Sequence, residues 1–228
     1  MLHGRWETRR ALKVSHQGSS RIAAADRSGP VAGVVLAAGM SSRMGRNKLL
    51  FDVSGEPLVR RTVRAAIAGG LDPIFVVLGH DPEAIRDALA SLPCRFVTNS
   101  NYADGMNSSV CAGFAVLPPG IAAGVVLLAD MPLVAADMIL ALVAQYRSGG
   151  APLILSDYAG VSAPPVLVDR SLFGGLLSEG KGCGKRLRRL HPELAATISW
   201  PAASLADLDA PEDYERLRAQ LVAPSATH

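Results

Sequence analysis

The sequence predicts one α/β domain built on an open, mostly parallel, doubly wound sheet. Three observations point to it. Short β-branched runs alternate with segments of helical spacing along most of the chain. The first run, Val31–Ala37, is bounded by turn signals and reads as a buried strand, which requires helices on both faces of the sheet. The chain has 228 residues, 49% of them hydrophobic. That is enough for one full core, short for two, and incompatible with extended disorder over most of the length.

The elements follow in order. After the first strand, residues 39–47 form a polar loop. Pro57 stands near the start of a helix over 58–68, where Val59, Val63 and Ile67 point inward and Arg60, Arg61 and Arg64 outward. Gly69 and Gly70 stop it. Residues 73–78 read as a second strand, and Asp81-Pro82-Glu83 opens a second helix with N-cap chemistry. Residues 95–98 form a short third strand. The segment 99–107 is polar, and 108–116 is helical. Residues 124–128 are the clearest central strand, running to Asp130. A helix over 134–146 is apolar nearly all round and so is expected to be well covered. Strands are expected over 152–155 and 165–168, a helix over 170–177, a last strand over 196–200 and an amphipathic helix over 211–221. No internal repeat is visible.

Charge divides the chain. Residues 1–30 hold Arg5, Arg9, Arg10, Lys13, Arg21 and Arg27 against Glu7 and Asp26, while the whole chain is only +3. The organisation expected is a basic, disordered extension over 1–30, a domain over 31–222 and a short tail over 223–228. The Arg-rich, acid-poor extension also has the composition of a transit peptide. The near-neutral body argues against a nucleic-acid-binding surface. The apolar stretch 121–144 contains Asp130, Pro132 and Asp137, so it reads as strand plus helix and not as a membrane span. Cys94, Cys111 and Cys183 are odd in number and lack metal-ligand spacing, which fits a reducing, cytoplasmic setting.

In doubly wound sheets, ligands sit outside the carboxyl ends of the strands. This directs attention to the loop after the first strand: Leu36-Ala37-Ala38-Gly39-Met40-Ser41-Ser42-Arg43-Met44-Gly45-Arg46-Asn47-Lys48. It is neither a P-loop nor a dinucleotide fingerprint. Its chemistry still suits phosphate. Gly39 and Gly45 allow close backbone approach, and Ser41 and Ser42 are donors. Arg43 can grip a phosphate bidentately, and Lys48 supplies a point charge. The alternative is a Gly/Ser loop with solvated cations.

The ordered string L-A-A-G-x-S-S-R-M-G-x-x-K-L-L resembles the signature of Rossmann-like nucleotidyltransferases that activate small phosphorylated molecules with an NTP. More narrowly, it resembles the molybdenum cofactor cytidylyltransferase group of the MobA-like NTP transferase family, over about residues 31–220. The resemblance implies that Leu36, Ala37, Ala38, Gly39, Ser41, Ser42 and Gly45 bind the nucleotide and that Arg43 and Lys48 are catalytic. Alanine at 38, where guanylyltransferase relatives typically have glycine, favours CTP over GTP.

Asp130 follows a buried strand in V-V-L-L-A-D-M-P. It could cap the next helix. The resemblance instead makes it a Mg²⁺ ligand, with Asp209 as a second carboxylate. Asp209 also suits a helix start, with Pro211 in the first turn. Mg²⁺ commonly takes one or two carboxylates plus substrate phosphates. The segment Gly105-Met106-Asn107-Ser108-Ser109 with Gly113 resembles the family's base-facing helix start, with Ser109 against the base and Ser108 as an N-cap.

Two segments depart from the pattern. Pro164 stands where many members carry histidine, and Lys181 where many carry an acid. Lys181, Lys185, Arg186, Arg188 and Arg189 make either a solvated face or a wall for the acceptor's phosphate, with Lys181, Lys185 and Arg186 as candidate contacts. The expected reaction is Mg²⁺-dependent transfer of CMP from CTP to a molybdopterin-type cofactor, ahead of handover to a molybdenum hydroxylase. Alternatives are another small phosphate acceptor, GTP as donor, or a cofactor carrier without turnover.

Overall fold

The computed structural model describes residues 27–39, 47–178 and 192–205. Residues 1–26, the helix expected over 211–221 and the tail lie outside the described residues.

Seven strands form one sheet in the order β5-β4-β1-β6-β8-β7-β9. These are β1 (Val31–Ala37), β4 (Ile74–Leu78), β5 (Arg95–Thr98), β6 (Ala123–Leu128), β7 (Leu153–Tyr158), β8 (Val161–Asp169) and β9 (Ala195–Trp200). β2 (Asp52–Val53) and β3 (Glu56–Pro57) form a small separate hairpin that the sequence reading lacks. β5, β4, β1 and β6 are mutually parallel. β8 runs antiparallel to both its neighbours, and β9 is parallel to β7. The mostly parallel, doubly wound sheet is therefore the observed architecture.

The alternation of side chains along β1 feeds two cores. Val35 and Ala37 join the cluster under α1 (Leu58–Ala68), α2 (Pro82–Leu89) and α4 (Ala136–Arg147). Val34 and Leu36 join the cluster under α3 (Met106–Ala115) and α5 (Phe173–Ser178). Every residue of β1 is buried, which is why the strand reads as one apolar run. Gly113 of α3 lies on this sheet so closely that a Cβ there would collide with Val34 and stand 3.1 Å from Val77. A helix with any side chain at that position would have to lift off β1 and β4.

Several expected elements shift. α3 begins at Met106, two residues early, because its N-cap is Gly105 at φ 98°, ψ 178°, a conformation open essentially to glycine alone. Asp81 does precede α2, but in a left-handed conformation and without a side-chain cap bond. α4 is covered on one side only, leaving Leu140 46% exposed. The two strands expected near 152–168 are longer and form a hairpin through Ala159 and Gly160, both at positive φ. The segment after Asp169 is a short 3₁₀ turn followed by α5, not one helix.

Packed structure also starts before Val31. Arg27 lies over the Tyr146 ring at 4.7 Å and donates to Tyr146 O at 2.8 Å and Gly150 O at 2.6 Å. Tyr146 is fully buried, its hydroxyl 2.7 Å from Asp169 Oδ2 and 3.0 Å from Ala122 O. Burial, reinforced by the Asp169 carboxylate, pushes that phenol's pKa far up. The cluster ties the chain before β1 to the ends of α4 and β8, at the amino ends of β1 and β6 and so at the opposite end of the sheet from the loops that follow them.

Gly113→Ala should destabilise the protein by about 1–3 kcal/mol through overpacking against Val34. Gly174→Ala, where a Cβ meets nothing within 4 Å, should change stability by less than about 1 kcal/mol or raise it. Urea denaturation of the two variants checks the contrast.

Candidate functional site

The sheet's connections reverse direction between β1 and β6. From β1 the chain winds outward through β4 to β5, then returns to lay β6 on the other side of β1. Such a switch point opens a crevice beyond the strands' carboxyl ends. The β1–β6 ladder pairs Leu36 with Leu128 and is extended by Ala129 N–H donating to Leu36 O at 3.1 Å. The loops that carry Gly39 and Asp130 therefore leave the sheet side by side.

Lys48 returns to this crevice on a single 3₁₀ turn, Lys48–Leu50. Asn47 Oδ1 accepts from Leu49 N–H at 3.1 Å, and Leu49 is buried in the core. The cap and the apolar plug hold Lys48 in place. Lys48 Nζ stands 2.9 Å from Asp130 Oδ2, with the two side chains 18% and 24% exposed. Asp130 does not cap the next helix: the N-cap of α4 is Ala135. Its turn is held from behind by α1, where Thr62 Oγ1 lies 3.3 Å from Ala129 O and Arg61 Nε donates to Pro132 O at 3.1 Å.

Leu36, Gly39, Lys48, Leu49, Met106, Leu128 and Asp130 line a cleft of about 190 Å³. A Cβ on Gly39 would meet nothing within 4 Å, so no described neighbour demands glycine there. What it leaves is open backbone facing the cleft. Gly79 is the opposite case, since a Cβ would come within 2.7 Å of Ala38 O and Tyr102 Cβ. The loops after β1 and β4 are thus packed tightly behind the cleft. Ala37 and Ala38 are buried, on opposite faces of the sheet. Met106 stands 55% exposed at the cleft.

Behind Met106, Ser109 is buried, and Asn99 Nδ2 donates to Ser108 Oγ and Ser109 Oγ at 2.9 and 3.0 Å. Ser108 is the third residue of α3 rather than its cap. The structure thus brings Leu36, Gly39, Lys48 and Asp130 together. Ser41, Ser42, Arg43, Gly45, Asp209, Lys181, Lys185 and Arg186 lie outside the described residues. Sequence reasoning missed Asn47, Thr62, Arg61 and Asn99. Of these, Asn47 alone carried a local signal, as a capping residue type directly before Lys48.

Among the described residues no cysteine lines the cleft. Burial pushes the Cys94 and Cys111 thiols up. Among the described residues no group of three or more His, Cys, Asp or Glu could hold a metal, and no helix is long and apolar enough to cross a membrane. The described carboxylate of the cleft, Asp130, would suit a hard divalent ion that completes its shell with phosphate and water once Lys48 moves aside.

The family described as "MobA-like NTP transferase domain" matches residues 33–197. The purine catabolism protein PucB of Bacillus subtilis is 29% identical over 197 residues, covering 82% of this chain and 95% of PucB. The bifunctional protein GlmU of Anaeromyxobacter dehalogenans is 34% identical over 133 residues, covering 56% of this chain. The chain spans 27% of the length of that GlmU. Among solved structures, Rv0371c of Mycobacterium tuberculosis matches with a TM-score of 0.72 at 24% identity, covering 84% of this chain and 98% of the other. That likeness is one of fold.

The pair is largely buried at the cleft, so removing one partner leaves a poorly compensated charge. Lys48→Met and Asp130→Asn should each lower the unfolding free energy by about 1–3 kcal/mol. Urea denaturation tests this, and unchanged stability in both variants would contradict it.

Proposed function

Because the chain belongs to the MobA-like NTP transferase family, we propose that it is a cytidylyltransferase. In this reading it moves CMP from CTP to the phosphate of a molybdopterin-type cofactor and releases pyrophosphate. Nucleotidyltransfer is the activity of the family. The base, the acceptor and the metal are the finer part of the reading.

The Lys48–Asp130 pair at the switch point carries the proposal. It sets an ammonium and a carboxylate at the mouth of a strand-end crevice beside the open backbone of Gly39, the charge pattern that a metal-bound triphosphate needs. Asp130, with Asp209, would hold Mg²⁺. The ion when bound supplies charge neutralisation and a fixed template for the phosphate oxygens. Lys48 would leave Asp130 for the triphosphate, where it and Arg43 neutralise charge as it develops.

The chemistry asks little else of the protein. An oxygen of the acceptor phosphate attacks the α-phosphorus, the bond from that phosphorus to the bridging oxygen breaks, and pyrophosphate departs with the electron pair. The attacking oxygen is already anionic, so no general base is required. The cleft's work is positioning and electrostatic stabilisation. The thiols of Cys94 and Cys111, held protonated by burial, have no part in it.

CTP is favoured by Ala38, through the loop's resemblance to the cytidylyl branch. The molybdopterin-type acceptor rests on the same resemblance, with Lys181, Lys185 and Arg186 as contacts for its phosphate. The dinucleotide product would pass to a molybdenum hydroxylase in the cytoplasm.

Pyrophosphate release measured with Mg²⁺, each NTP in turn and molybdopterin or its molybdenum form tests the reading. Release with CTP alone is expected. Lys48→Ala and Asp130→Ala should lower turnover by about 10²-fold or more. Release with GTP overturns the assignment of the base. Tight cofactor binding without release under any condition makes the protein a carrier.

A further inference from the structure

The polar cluster at the amino end of α3 has a feature that packing alone does not account for. Asn99 is 6% exposed, and its backbone N–H donates to Leu78 O at 2.8 Å, beyond the paired ends of β4 and β5. Its amide orientation follows from its neighbours. The backbone N–H of Asn101 donates to Oδ1 at 3.0 Å, so the opposite atom is the nitrogen. Both hydrogens of Nδ2 are then used, one on Ser108 Oγ and one on Ser109 Oγ. The hydrogen of Ser108 also has acceptors, with the carbonyls of Asn101 and Gly105 each 2.8 Å away.

Ser109 differs. It is 4% exposed and accepts from Asn99, but its own hydroxyl hydrogen meets no acceptor among the described residues. A buried donor left unmatched is destabilising and uncommon. An acceptor brought by a ligand would match it.

We infer that Asn99 is a positioning residue for nucleobase selection. By filling one lone pair of Ser109 and offering it no acceptor, Asn99 leaves the hydroxyl hydrogen as the unmatched group, so the partner that meets it is a hydrogen-bond acceptor: on cytosine, the O2 carbonyl or ring N3. This rests on the proposed seating of the base of CTP beside Ser109. Asn99 touches no reacting atom and acts through the serine.

The test measures binding of CTP and of inorganic tripolyphosphate, both with Mg²⁺ and without acceptor, by titration calorimetry. The ratio of the two affinities isolates the nucleoside from the triphosphate. Ser109→Ala should lower the ratio about tenfold, the worth of one hydrogen bond to a buried group. Asn99→Asp keeps the shape of the side chain but presents only acceptors when ionised. It would take the Ser109 hydrogen and lower the ratio at least as far, whatever its charge does to tripolyphosphate alone. In the Ser109→Ala background, Asn99→Asp should leave the ratio unchanged. Should Asn99→Asp fail to fold, Asn99→Ala gives a smaller fall in the same direction.

A ratio unaltered by Ser109→Ala overturns the seating of the base and this inference with it. A ratio that responds to Ser109→Ala but to neither Asn99 variant overturns the role of Asn99 alone. Equal loss of both ligands together with a lowered Tm would make Asn99 merely structural, and would also overturn the inference.

Discussion

The parallel pairing of β1 with β6 is the constraint on which the rest of the site depends. Leu36 opposite Leu128, extended by the Ala129 to Leu36 hydrogen bond, determines where two loops emerge that are about ninety positions apart in the chain. The pairing is secured from both faces. Val35 and Ala37 pack under α1 and α4, and Val34 beneath α3, where Gly113 permits close approach. Moving β6 by one residue relative to β1 would exchange the faces of its side chains and carry Asp130 away from Lys48. The stability of the core and the placement of the charges are in this sense one property.

Around that pairing, each charged group is held in place through the backbone of its own turn. Asn47 caps the turn that presents Lys48, Leu49 anchors it, and Thr62 and Arg61 hold the carbonyls on either side of Asp130. The ion pair they produce is largely buried, with its open side toward the cleft. In the proposed reaction the divalent ion and the triphosphate would take up these two charges in place of each other. The sequence's small net charge concealed this, since Lys48 and Asp130 cancel in the sum.

Much of the architecture was legible because its cause is local. β1 and β4 are short apolar runs between turn signals, and α1 ends at two glycines as expected. Lys48 and Asp130 were legible as candidates because strand ends in such sheets are where ligands bind. Other features depend on distant partners. Asn99 and Thr62 are ordinary polar residues by sequence, and their roles appear only when segments 10 and 67 positions away fold against them. β8 was underestimated because Pro164 and Pro165 interrupt its pattern. They fall at the register shift opposite Leu155 and Ser156, beyond the last residue paired with β6, where the ladder tolerates proline. α3 was placed late because its cap is the backbone conformation of Gly105 and not a side chain.

In the proposed reaction Asp130 receives a divalent cation together with a triphosphate. Electron paramagnetic resonance titration of Mn²⁺, in the presence of a non-hydrolysable CTP analogue, tests this at the metal itself. Asp130→Asn should weaken Mn²⁺ binding about tenfold or more, since a hard cation loses its protein carboxylate. Asp137→Asn, on the exposed side of α4, should leave it unchanged. Equal Mn²⁺ affinity in wild type and Asp130→Asn would show that Asp130 does not hold the cation.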